Sequence, residues 1–183
     1  MDIQIPFNMN YFFNDVLREV PESTEQMELG VQYLIDQFEK SSGMHKARIA
    51  GLLGVYSRIL SFYNDGKYYL KRAISLYEEY GNELSAFVNK IRLAHIFHWK
   101  KRFEEAVELF ESLREQALIN PKYSKYLDFI YQHYGKCLLD QGKCSGALVQ
   151  FNMALALREK KGNEDLIVST AKAIELCERL MRY

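Results

Sequence analysis

The sequence predicts an all-α protein, a stack of antiparallel helical hairpins, and three observations predict it. Small and apolar residues return at helical spacing in run after run, separated by short breaks that contain Gly, Asn or Asp. Only three prolines and ten glycines interrupt 183 residues that are 48% hydrophobic, a balance suited to long helices joined by tight turns. The landmarks of one hairpin also recur upstream, as they must when a unit can bury its apolar face only against a neighbour.

Taken in order, residues 1–21 open with Pro6, Phe7, Met9, Tyr11, Phe12, Phe13, Val16 and Leu17, which predict a short helix ending before Pro21. Ser23-Thr24-Glu25-Gln26 offers a capping box, and Met27, Val31, Leu34, Ile35 and Phe38 share one face of a second helix that runs to Ser41-Ser42-Gly43. The first inward helix is expected over His45–Tyr63, a turn at Asn64-Asp65-Gly66, and its partner over Lys67–Tyr80. Leu84–Trp99 and Phe103–Ala117 make the second hairpin, after which Asn120-Pro121 interrupts the pattern and predicts a projecting loop or longer helix. The third hairpin, Tyr123–Glu164, is the most complete. Its first run carries Tyr131, Tyr134, Gly135 and Leu138, a break follows at Asp140-Gln141-Gly142-Lys143, and its second run carries Ala147, Phe151, Ala154 and Leu155. Gly135 and Ala147 let the two backbones approach. Arg158, Lys160 and Lys161 suit the negative end of the helix dipole, and Gly162 the left-handed cap. Asp165–Tyr183 predicts an amphipathic capping helix with Leu166, Ile167, Ala171, Ile174, Cys177, Leu180 and Met181 inward.

The pattern Tyr131-x2-Tyr134-Gly135-x2-Leu138, Gly142, Ala147-x3-Phe151-x2-Ala154 resembles the tetratricopeptide repeat, with tyrosines in place of the usual tryptophan and leucine and no closing proline near Glu159. The upstream series Lys90-x2-Leu93-Ala94-x2-Phe97, Phe103, Ala106-x3-Phe110, Leu113 repeats it 41 residues earlier. Tyr56-x2-Ile59-Leu60-x2-Tyr63 with Ala73-x3-Tyr77 gives a third copy, Ala73 standing 33 residues before Ala106. Gly81-Asn82-Glu83 returns as Gly162-Asn163-Glu164. The resemblance implies a right-handed α-solenoid in one continuous domain: N-terminal helices over 1–43, repeats over 44–81, 82–121 and 122–162, and a cap over 163–183.

A chain of this length buries about 70% of its unfolded surface and needs no disulfide or metal for stability. Lysine plus arginine equals aspartate plus glutamate at 24 each, which removes the electrostatic signature of nucleic-acid binders. No apolar run approaches the about 20 residues of a membrane span, and Met1-Asp2-Ile3-Gln4 lacks a basic region before an apolar one, so a cytoplasmic protein is expected. Cys137, Cys144 and Cys177 read as reduced thiols.

The resemblance implies a concave face lined by the first helix of each pair. On the second hairpin that face is Val88, Ile91, His95 and His98 with Trp99 beside it, on the third Phe129, Gln132, Lys136 and Asp140, and on the first Ser57, Ser61 and Asn64. A protein or peptide partner is expected there, held by His95, His98, Trp99, Gln132, Lys136, Ser57, Ser61 and Asn64. These positions do not reproduce the lysine, asparagine and arginine set of carboxylate-clamp relatives. His95 and His98, three apart, lack a carboxylate or cysteine to complete a metal shell, and Cys137 or Cys144 near His133 falls where packing already accounts for it, so no cofactor, metal or enzymatic activity is expected. The pairs Glu104-Glu105 and Glu78-Glu79 read as solvated outer faces. Two other readings stand beside this one. The first is a peptide-responsive bacterial regulator that acts on a response-regulator partner through its N-terminal helices, with Gln32 or Gln37 as its residues. The second is a scaffold that self-associates as a homo-oligomer.

Overall fold

The computed structural model describes residues 3–182; Met1 and Asp2, in the predicted first helix, and Tyr183, the end of the predicted cap, lie outside the described residues. The chain divides into two compact units, Met1–Lys100 and Lys101–Tyr183. Unit 1 holds a β-hairpin of β1 (Tyr11–Phe13) and β2 (Glu19–Pro21), followed by α1 (Thr24–Lys40), α2 (Gly43–Ile59), α3 (Tyr63–Glu79) and α4 (Glu83–Trp99). Unit 2 holds α5 (Phe103–Ile119), a one-turn α6 (Pro121–Ser124), α7 (Leu127–Asp140), α8 (Cys144–Lys161) and α9 (Glu164–Met181). The fold is all-helical apart from that hairpin among the described residues, and none of its helices is long and apolar enough to cross a membrane.

The helices begin where local chemistry allows. Ser23 caps α1, its hydroxyl accepting from Gln26 N at 3.3 Å, and Met27, Val31, Leu34 and Phe38 then form its buried stripe. Asn82 and Asn163 cap α4 and α9 in the same way, and Asn120 caps α6 with Pro121 at its first position. The ends repeat one motif: Phe62 N to Ser57 O, Asn82 N to Tyr77 O and Lys143 N to Leu138 O close at 2.7–2.9 Å around left-handed Ser61, Gly81 and Gly142. As a result α2, α3, α4 and α5 start 20 residues apart, and α8 and α9 do too.

This spacing corrects the register of the first hairpin. Asn64-Asp65-Gly66 lies inside α3, and the turn is at residues 60–62. The small crossing residues of the first pair are Gly54 and Gly66, where a methyl group on Gly66 would stand 3.1 Å from Gly54 O and 2.8 Å from Ile96 Cδ1. Gly54, Ala94 and Gly135 form one series, and Gly66, Ala106 and Ala147 the other, so the repeat is 40 to 41 residues throughout. Ala73 misleads because it is also small and is followed four residues later by an aromatic, whereas Gly66 is followed by Leu70.

The predicted N-terminal helix is corrected to a hairpin. Tyr11 pairs with Pro21, Phe12 with Val20 and Phe13 with Glu19, and Asn14 N bonds Arg18 O at 3.0 Å to close a three-residue loop. Aromatic strand formers flank the Asn14-Asp15 turn. Asn14 Oδ1 accepts from Val16 N and Arg18 N, a local arrangement that outcompetes the helix. Upstream of the hairpin, Ile3, Ile5 and Met9 pack on the core of unit 1, which is built from Val31, Leu34, Phe38, Ala50, Leu53, Ala73 and Tyr77.

The inward set of α9 also shifts. Thr170, Ala173 and Cys177 are its buried residues, while Ala171, Leu180 and Met181 are exposed. The buried residues follow the i, i+3, i+7 row that meets α8, which an evenly amphipathic sequence does not single out.

Candidate functional site

The predicted groove residues are mostly interior. Ser57, His95, His98, Trp99, Gln132 and Lys136 are all buried, Ile91 with them, and only Ser61 and Asn64 of the predicted set are exposed. Every residue of α4 from Leu93 to Trp99 is buried, because the helix is apolar all round and is packed on α2 and α3. His95 and His98 therefore do not present a ligand face. Their rings stack at 5.6 Å, and His95 meets Trp99 edge-on at 5.2 Å, so they buttress the indole.

In unit 1 the face shared by α2 and α4 carries the chain's own N-terminal hairpin. Arg58 of α2 donates to Glu19 of β2 through both arms, Nη2 to Oε1 at 2.8 Å and Nη1 to Oε2 at 3.0 Å, with both side chains buried. The Arg58 guanidinium lies 4.4 Å from the centre of the Trp99 ring and that of Arg18, from the hairpin, lies 5.1 Å from it. Tyr63 meets the same indole edge-on at 6.4 Å. A cleft of about 320 Å³ opens beside this cluster, lined by Asn14, Arg18, Glu19, Ser61, Tyr63 and Trp99 among others. Ser61 and Trp99 are the two predicted site residues that line this cleft; Asn64 lies in a neighbouring hollow that Ser61 also lines, accepting from Lys100 Nζ at 2.6 Å.

Further along the same face is Arg92 of α4. Its Nη1 donates to Asn89 Oδ1 at 3.3 Å, and its guanidinium sits close over Gly51 of α2, where a methyl group would approach it to 3.4 Å. Burial pulls its pKa down first; Tyr77, Tyr56 and Tyr11 oppose that, and Arg58 adds repulsion. Burial likewise raises the Tyr56 and Tyr77 hydroxyls.

In unit 2 the predicted Gln132 belongs to a buried polar knot, and the predicted Lys136 is buried as well. Arg158 of α8 reaches Asp128 Oδ2 at 3.3 Å, Gln132 Oε1 at 3.1 Å, Leu166 O at 3.1 Å and Thr170 Oγ1 at 2.6 Å, tying α7, α8 and α9 together. Lys161 pairs with the other oxygen of Asp128. Arg158, expected as a partner of the helix dipole, stands in the last turn of α8 and is also the centre of the joint that holds α9. Phe129 lies under Arg158 and Lys161, at 5.6 and 5.9 Å. Burial pushes the Cys137 thiol up to about 11, which makes it a poor nucleophile at neutral pH. Gln32 and Gln37 lie on α1, where Gln32 Nε2 donates to Asp36 Oδ1 at 3.3 Å. Among the described residues no three His, Cys, Asp or Glu side chains are grouped to hold a metal.

Sequence reasoning missed Glu19, Arg58 and Arg92. The available signal was Arg58 inside the apolar run Ser57-Arg58-Ile59-Leu60, where an unpaired charge is costly and needs a counter-ion from elsewhere.

The chain matches no protein-family model and no curated protein. Its fold is similar to that of solved TPR-like repeat structures. A single-substitution form of the putative kinesin light chain of Podosopora anserina, with nearly identical TPR-like repeats, superposes at a TM-score of 0.56 and 14% identity, covering 85% of this chain and 77% of that one. The same protein without that substitution gives 0.55 at 14% over the same shares, and BtubC (BKLC) of P. vanneervenii gives 0.53 at 17%, covering 86% of this chain and 78% of that one. The chain is thus a TPR-like helical-repeat protein by fold.

Proposed function

We propose that this protein is a non-enzymatic interaction module that grips an extended segment of a partner protein on the α2–α4 face of unit 1. The observation that carries the reading is that this face already accommodates extended polypeptide, namely β2, anchored by Glu19 on Arg58 and flanked by Arg18 on Trp99. Rigid adjacent helices that hold a strand through one buried charge pair and one aromatic platform have the chemistry of a peptide site. The TPR-like architecture supports the same reading, as does the high pKa of the Cys137 thiol, which weighs against a Cys137–His133 nucleophile. Within the set expected from sequence, Trp99 and Ser61 keep a direct role at the cleft, while His95, His98, Ser57, Gln132 and Lys136 act as interior supports.

The test places a photo-crosslinking amino acid at Ser61, beside the cleft, and in a second protein at the exposed Val149 of α8. In cells of the source, the Ser61 probe should join a defined partner that the Val149 probe does not. Identical adducts from both positions would refute the reading.

A further inference from the structure

We infer that residues 10–22 are a self-ligand standing in for an acidic segment of the partner, whose first carboxylate takes the place of Glu19 on Arg58 and whose second pairs with Arg92. This rests on the proposed α2–α4 binding face and names the chemistry of what that face takes.

The charges on the face do not balance. Arg58 has the Glu19 carboxylate, held through both arms. Arg92 has no carboxylate partner among the described residues: its one hydrogen bond goes to the neutral Asn89 amide, and the charged group acting on it is the like-charged Arg58. A half-buried guanidinium repelled by another guanidinium is unfavourable unless an anion joins them. Tyr11 of β1, within electrostatic reach of Arg92, brings a phenol and not a carboxylate. The hairpin therefore satisfies one cation of the face and leaves the other with a neutral neighbour.

The hairpin is also built to leave. A two-stranded sheet is marginal by itself. Three consecutive β1 side chains, Tyr11, Phe12 and Phe13, are 43%, 52% and 50% exposed, so they add little burial to hold it down. Leu17 sits at φ 62 in the loop, a left-handed conformation unfavourable for a branched side chain. An incoming segment with two carboxylates regains the Arg58 pair that it breaks and adds a second, which is the net gain needed to displace the resident hairpin.

The test uses the full chain and two labelled synthetic peptides, one with the sequence of residues 10–22 and one with the same sequence carrying Tyr11→Glu, which adds a carboxylate within electrostatic reach of Arg92. Binding is read by anisotropy, and release of the hairpin by emission of Trp99, the single tryptophan. Glu19→Gln weakens the internal occupant; Asn14→Ala, which removes the loop acceptor for Val16 N and Arg18 N, does so without disturbing the ion pair if Glu19→Gln fails to fold. Either variant should bind both peptides at least ten-fold tighter than the parent, and the Tyr11→Glu peptide at least ten-fold tighter than the plain one. Adding Arg92→Met should erase that second difference only. Equal affinity for the two peptides with Arg92 intact overturns the two-carboxylate inference while leaving the binding face standing. No binding of either peptide when Trp99 emission reports release overturns both. Exchange of the hairpin between two copies, seen as a dimer by light scattering, would also overturn the inference.

Discussion

Gly135 tests the crossing of α7 and α8. A methyl group there would stand 2.6 and 2.7 Å from Phe151 Cε1 and Cδ1 and 3.0 Å from Cζ. Carbon atoms rest at about 3.5–4.0 Å, and Phe151 is fully buried, so its ring cannot swing into solvent and the two helices must part. Overpacking of this kind costs about 1–3 kcal/mol. The better helix propensity of alanine offsets about 1 kcal/mol, leaving Gly135→Ala destabilised by up to about 2 kcal/mol. Gly146, on α8, is the internal control: its added methyl would meet Leu138 Cδ1 at 3.5 Å, an ordinary contact. Gly146→Ala should therefore keep a gain of about 0.5–1 kcal/mol. In a chain of this size each kcal/mol moves the melting midpoint by about 2–4 °C. Circular dichroism melts should place Gly146→Ala above the parent and Gly135→Ala below it. If Gly135→Ala melts at or above Gly146→Ala, the close crossing described here is wrong.

The remaining predictions concern the buried arginine joint, the hairpin loop and the alkaline limb. Arg158→Ala leaves the fully buried Asp128 with Lys161 alone and strips α9 of its links through Leu166 and Thr170; a loss of about 3–5 kcal/mol is expected in urea unfolding, with α9 amides exchanging first. A loss under about 1 kcal/mol would mean that α9 is held by its apolar contacts instead. Leu17→Gly relieves the left-handed strain at φ 62 and should slow exchange of the hairpin amides; faster exchange would show that the leucine side chain matters more than its backbone. At high pH, burial holds the Cys137 and Cys177 thiols at about 11 against an ordinary value of 9.0, and burial followed by the Glu111 carboxylate holds the Tyr134 hydroxyl at about 12 against 10.0. The folded chain keeps these protons longer than the unfolded one, so their contribution is whole below pH 9.0 and is lost as pH rises towards about 12. Denaturation midpoints that stay level from pH 9 to 11 would contradict this.

The α7–α8 hairpin was legible in full because every landmark is a residue with a single structural use. Gly142 takes the left-handed turn at φ 74, Gly135 lies under Phe151, and Gly162 ends α8 at φ 66. The first hairpin was legible as a helix pair but not in register, since Gly66 resembles a turn residue and its meaning as a crossing point depends on Gly54, twelve residues away in sequence. The hairpin of β1 and β2 was hidden because Tyr11, Phe12 and Phe13 satisfy an apolar helical count as well as a strand, and only the Asn14-Asp15 turn distinguishes them. At the candidate site the error was one of exposure. Helical periodicity separates the faces of α4 but cannot say that both faces are covered, and so it placed His95 and His98 in solvent. Pairings such as Glu19 with Arg58 join residues 39 apart and have no local signature.

The uniform connectors carry a consequence for how this chain tolerates length change. Residues 60–62, 80–82 and 141–143 are three-residue links, each pinned by its own three backbone hydrogen bonds, and they contain no slack. One inserted residue in any of them would turn the next helix by about 100° and point its apolar stripe away from the core. Residues 120–126 differ: Asn120, Pro121 and Lys122 are exposed and α6 is a single turn. Insertions, affinity tags and protease sites should be accepted there and rejected at the other links, so a library of single insertions would trace the helix boundaries of this protein without any structure determination.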